Sequence, residues 1–153
     1  MMSPAGSEHG RIAANVLLSL AQHVKQKKLG TVYAAETGFL LGTGPDTVRA
    51  PDVAFVRKER LDELGAVAGY LPLAPDFVAE IVSPTDSYSQ VKEKALAWID
   101  AGVRMVLVVD PVTRTVQAYR SADNIVWLNR EQQLDASDVV SEWSLSVADI
   151  FEA

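Results

Sequence analysis

The stretch Arg104-Met-Val-Leu-Val-Val-Asp110 holds five consecutive apolar residues with no polar side chain to turn toward water. It is too short for a typical helix and lacks the alternation of a half-exposed strand. It therefore reads as a central strand buried on both faces. A strand of that kind needs cover on both sides, so its neighbours decide the fold.

Those neighbours alternate in type. Upstream, residues 87–101 form the clearest helix of the chain: Ser87 and Gln90 have capping-box spacing and Gly102 stands at C′. Before it, residues 76–83 read as a strand. Residues 8–28 read as a helix, with Ile12, Val16, Leu20 and Val24 on one stripe, Ser7 as N-cap, and Lys25, Lys27 and Lys28 facing the helix dipole. Residues 31–41 and 47–56 read as two strands around the turn GTGPD, and Pro51, which has no amide donor, belongs at an edge or at the start of a new ladder. RKERLDEL (57–64) predicts a short exposed helix or loop, and GAVAGYLPLAP (65–75) a mobile connector. After Asp110, DPVT predicts a hairpin turn, TRTVQAYR and IVWLNR two further strands, and SLSVADIF a cap that lays Leu145, Ile150 and Phe151 on the core. The expectation is a single α/β domain over residues 1–153, a mixed sheet flanked by helices. Its length of 153 residues suits one core.

Composition narrows the function classes. There are no cysteines, which excludes disulfides and thiolate metal sites. A net charge of −6 argues against nucleic-acid binding through the whole surface and leaves a local patch or a bound cation. No apolar run approaches the roughly 20 residues of a membrane span. MMSPAGSEHG lacks the basic start and apolar core of a signal peptide, so a soluble, cytoplasmic protein without membrane partners is expected.

The catalytic candidates are carboxylates. No G-x-S-x-G elbow is present. His9 and His23 lack zinc-binding spacing and read as surface helix residues, His9 being the better candidate because it lies near a helix start. By contrast, Asp52 heads the apolar strand DVAFV and Glu80 interrupts the apolar strand FVAEIV. Two acids on neighbouring buried strands repel unless a cation lies between them, and Mg²⁺ or Mn²⁺ would supply that charge. The competing reading pairs each acid with an arginine, such as Arg49 or Arg104. On the following helix, Val91, Ala95, Trp98 and Ile99 form the apolar face, Lys94 lies on one flank and Lys92 on the opposite one. Lys94 either snorkels along the core or reaches Glu80, where it could hold a phosphate or stabilise developing charge.

Asp52 in PDVAF, Glu80 in AEIVSPTD, Lys94 in KEKALAWIDAGV and Asp110 in VLVVDPVTRTV together resemble the Uma2 family of bacterial proteins, also called DUF820. The resemblance runs from about Ser3 to Phe151. It implies a restriction-endonuclease-like core of the PD-(D/E)XK superfamily and a Mg²⁺- or Mn²⁺-dependent hydrolase of nucleic-acid phosphodiesters, with DNA the favoured polymer. On that resemblance Asp52 and Glu80 hold the metal, the Ile81 carbonyl completes the shell, and Lys94 orients water or phosphate. The superfamily lysine would fall at Val82, so Lys94 stands in for it. Glu8 and Glu36 are candidates for an additional acid, and Ser83 and Asp86 match the family's turn before the helix. The family's N-terminal extension, including a small β-hairpin, is expected to be missing. The alternative is a non-catalytic interaction or regulatory domain that keeps the fold, dimerising through the Tyr70–Leu73 loop or a free strand edge. Carboxylates close together with Lys94 pointing in favour the enzyme, and an arginine folded onto either acid favours the module.

Overall fold

The computed structural model describes residues 6–153, so Ser3, where the family resemblance begins, lies outside the described residues. The element order is α1 (Ser7–Lys27), β1 (Gly30–Tyr33), β2 (Phe39–Gly42), β3 (Thr47–Arg49), β4 (Val53–Arg57), α2 (Lys58–Leu64), β5 (Phe77–Ile81), α3 (Tyr88–Asp100), β6 (Met105–Asp110), β7 (Thr115–Ser121), β8 (Asn124–Leu128), β9 (Gln133–Asp135), β10 (Ser144–Ser146) and α4 (Val147–Phe151). Six strands form the central sheet in the order β1-β4-β5-β6-β7-β8. Only β5 and β6 pair in parallel, and α3 is the crossover between them; the other neighbours are antiparallel. The apolar run at 105–109 is β6, fully buried between the two layers.

Strand alternation sorts the core into two halves. Phe77, Ala79 and Ile81 of β5, with Met105, Leu107 and Val109 of β6, face α1, α4 and the β9–β10 hairpin. Val78, Val106 and Val108 face Ala95 and Trp98 of α3. Ile12, Val16, Leu20 and Val24 are all 0–1% exposed, and burying each such side chain is worth about 1.5–3 kcal/mol as an upper figure. Leu145, Ile150 and Phe151 are buried on the same half, as the tail pattern predicts.

Three local expectations are corrected. The N-cap of α1 is Gly6, with no side-chain cap bond, so Ser7 is the first helical residue. The strand predicted over 31–41 is two strands, because the chain turns at Glu36 (φ 70°) and β2 leaves the central sheet to pair with β3. The strand predicted over 47–56 likewise breaks at Ala50–Asp52, where Pro51 cannot donate; β3 stays with β2, and β4 enters the central sheet. The connector at 65–75 is tied at its midpoint, since Leu40 N donates to Leu71 O (2.8 Å) and Leu71 N to Gly38 O (3.2 Å). Gly30 opens β1 where only a glycine fits: a Cβ there would lie 2.1 Å from the Val56 carbonyl oxygen.

Candidate active site

The last backbone pair between β4 and β5 is Val53 with Ala79. One residue further, side chains take over the ladder. Asp52 N donates to Glu80 Oε1 at 3.0 Å, and Ile81 N donates to Asp52 Oδ2 at 2.8 Å. Each carboxylate thus accepts an amide hydrogen from the other strand. This exchange explains why a glutamate survives in an apolar strand: one oxygen is satisfied by backbone, and its position is fixed by a partner on the neighbouring strand. Alternation places Glu80 on the same face as Val78, toward α3.

The second Glu80 oxygen is buried and makes no well-aligned hydrogen bond. Its contact is the Lys94 ammonium, 2.7 Å from Oε2. The Lys94 side chain is about half exposed, so it arches from the rim of α3 over the strand end. Trp98, one turn on, is fully buried beneath α3 and sets the rotation that aims Lys94 at β5. Burial pushes the Glu80 carboxyl up, the Lys94 charge and contact pull it down, and the Asp52 charge pushes it up again; the net result is raised. For Lys94, partial burial lowers the pKa, but the charges of Glu80, Asp52 and Asp86 outweigh it, and the ammonium is held above its ordinary value.

From the other layer, His9 in the first turn of α1 brings Nε2 to 3.5 Å from Asp52 Oδ2. His9 had read as a surface residue. The signal for its placement is its spacing: it lies three residues before Ile12, on the edge of the buried stripe. The remaining predicted residues fall outside this group. Glu8 is exposed and lies 3.8 Å from Arg11. Glu36 is exposed, in the left-handed turn after β1. Ser83 and Asp86 close the turn that launches α3: Ser83 N donates to Asp86 Oδ2 and Asp86 N to Ser83 O, both at 3.0 Å. Asp110 caps its own turn by accepting from Val112 N at 2.9 Å. Among the described residues no arginine pairs with Asp52 or Glu80; Arg104 donates instead to the Asp138 carbonyl at 2.9 Å.

Two carboxylates side by side, one of them buried with its second oxygen met only by the half-exposed Lys94 ammonium, suit a hard divalent cation with oxygen ligands. Among the described residues no three His, Cys, Asp or Glu side chains converge on a metal position. A cation here would therefore draw its other ligands from backbone carbonyl, water or substrate. In a strand the N–H and C=O of one residue leave on the same side, so the Ile81 carbonyl opens toward Asp52, as its amide does.

Among the described residues no helix is long and apolar enough to cross a membrane. No curated protein matches the sequence. The fold is similar to the crystal structure of “a putative nuclease belonging to DUF820” from Anabaena variabilis ATCC 29413, with a TM-score of 0.83 and 25% sequence identity, covering 98% of this chain and 83% of that one. The model of the Uma2 family, described as “Putative restriction endonuclease”, matches residues 1–148. With a fold shared over nearly its whole length and a family model matched across it, the chain belongs to the Uma2 family.

Proposed function

We propose that this protein is a Mg²⁺- or Mn²⁺-dependent endonuclease that hydrolyses a phosphodiester of nucleic acid at the β4–β5 strand ends. The observation that carries the reading is the pairing of two carboxylates across the strand ends, Glu80 accepting from the Asp52 amide and Asp52 from the Ile81 amide, with Lys94 on the second oxygen of Glu80. A structural ion pair needs one acid and one base. Here two acids are held together with one lysine, which pairs with Glu80, and one histidine, which lies 3.5 Å from Asp52; with a neutral imidazole the arrangement leaves excess negative charge for a cation to neutralise. Asp52, Glu80 and the Ile81 carbonyl would hold the ion, which when bound supplies a Lewis acid for the phosphoryl oxygen and a more acidic water. Lys94 carries the positive charge that meets a non-bridging phosphate oxygen and steadies charge as it develops. Its exposed stem lets it move from Glu80 to phosphate without unfolding α3. His9 stands on the α1 side of Asp52, a second donor to the same phosphate.

The test is a calorimetric Mn²⁺ titration of the wild type beside Asp52→Asn and Glu80→Gln, which keep side-chain shape. Binding near one ion per chain in the wild type, weakened at least tenfold in both variants, is the expected outcome. No binding by the wild type, with or without nucleic acid, sinks the catalytic reading and turns the protein into a fold-retaining interaction module.

A further inference from the structure

The two flanks of α3 differ. Lys94 marks the flank that faces β5, because it reaches Glu80. At about 100° per residue, Tyr88 and Lys92 fall together on the opposite flank, which faces β7 and β8. The packing agrees with that placement: Tyr119 on β7 and Ile125 on β8 pack with Ala95 and Trp98 of α3.

The sheet register continues the line. Glu80 pairs with Val108, Val108 with Gln117, and Gln117 with Trp127, so all four side chains project from one face in one row. Trp127 stands three strands from Glu80, about 14 Å away at ordinary strand spacing. It is 55% exposed and Tyr88 63% exposed, an unusual state for two large aromatics beside a buried sheet face. Between them, Gln117 is only 8% exposed; its carbonyl oxygen accepts from the Tyr119 hydroxyl at 3.1 Å, and its amide hydrogens have no partner among the described residues. Lys92 also forms no ion pair among the described residues. The nearest acids on its helix, Glu93 and Asp100, sit on the far side of the wheel.

From this arrangement we infer that Tyr88, Lys92 and Trp127 form a track for an unpaired stretch of nucleic acid, leading away from the acid pair across the sheet rim. The inference rests on the endonuclease reading and names its substrate class: single-stranded or locally unpaired strands. Aromatic faces take up bases only when those bases are unstacked, and the Lys92 ammonium, on the same flank of α3 as Tyr88, suits a backbone phosphate.

Trp98 and Trp143 are buried, so Trp127 is the exposed tryptophan of three. Its acrylamide quenching therefore reports on the track in the unmodified protein. The experiment adds a short oligothymidylate or oligouridylate, with Ca²⁺ in place of Mg²⁺, and compares a blunt duplex. The single strand is expected to shield Trp127 from acrylamide. Affinity should fall roughly tenfold in Trp127→Ala and in Lys92→Ala, and hold in Trp127→Phe. Unchanged accessibility with saturating single strand, equal affinity in Trp127→Ala, or preference for the duplex overturns the track. So does shielding that follows protein concentration without any oligonucleotide, which assigns Trp127 to a contact between copies. Mn²⁺ titration of the same samples separates the two readings. Shielding without metal binding keeps the track and removes the endonuclease; metal binding lost in Asp52→Asn without shielding does the reverse.

Discussion

At Glu80 burial and charge pull in opposite directions, and the balance is a measurable property of one residue. Its folded pKa lies above the ordinary 4.5, burial being the largest cause. Between 4.5 and that raised value the folded protein holds more protons than the unfolded chain. The Glu80 contribution to stability therefore declines as pH rises through this window. Lys94 is also raised, above 10.5, so the stability it draws from Glu80 is fully present below 10.5 and lost as pH climbs through its folded value. Glutamine at position 80 removes the first titration. In metal-free buffer, Glu80→Gln should gain stability relative to wild type as pH rises from about 4.5 toward neutrality, read from urea midpoints at several pH values. A difference that stays flat, or moves toward the wild type, would show that Glu80 ionises in the fold as easily as in the open chain. The same residue shows what a sequence can disclose about a site. Asp52 and Glu80 are legible because Asp52 heads an apolar strand and Glu80 interrupts one, and a buried acid such as Glu80 demands a partner. Gln117 carries a similar signal within TVQAYR, whereas the meaning of Trp127 depends on a register set by three other strands.

The elements that read correctly are those whose signals are local. For α3 the capping box is complete: Gln90 N donates to Ser87 Oγ at 3.2 Å, and Ser87 N to Gln90 Oε1 at 2.9 Å. At the other end Gly102 takes φ 110° just past the C-cap, as the sequence predicts. The misread elements are decided at a distance. Whether residues 31–41 are one strand or two depends on Leu71, which pairs with the segment 38–40 from the far side of α2. The N-terminus of α3 has a functional reach, because it fixes Tyr88 at its first position and Lys94 two turns in. Ser87→Ala removes one acceptor and leaves the Gln90 amide without its cap, so it should cost about 1 kcal/mol, whereas Ser87→Gly should cost only a few tenths. Urea unfolding of the pair checks the difference. Equal losses would show that solvent caps this helix as well as the serine does.

Across the whole molecule, the last helix is fastened to the first, which carries His9. Arg11 Nη1 donates to the Phe151 carbonyl at 2.8 Å, and Asn15 Nδ2 donates to the Ile150 and Glu152 carbonyls at 2.9 and 2.8 Å. These bonds fasten the C-terminal turn of α4 onto the first half of α1, where His9 lies two residues before Arg11. Trp143 reinforces the same joint, with Nε1 donating to Ser19 Oγ at 3.2 Å and its ring edge-on to Phe77 at 5.3 Å. The depth at which α1 docks on the sheet, and with it the distance from His9 to Asp52, is thus set by residues more than a hundred positions away. The spacing of His9 from Ile12 puts it at the edge of the buried stripe, but its distance from Asp52 depends on these remote bonds, which is why it reads as a surface residue in the sequence. Asn15 offers the cleanest probe, since its amide bridges two carbonyls that α4 cannot satisfy internally. Asn15→Ala should lower unfolding free energy by about 1–2 kcal/mol, because part of the exposed end can turn to water instead. Amide exchange should rise in α4 and the first two turns of α1 and stay unchanged in β5 and β6. Mn²⁺ affinity in the same variant then separates two roles for the clasp: a loss beyond the stability change means that α1 positions His9 for the metal site, and an unchanged affinity means that Asp52 and Glu80 form the site without help from the first helix.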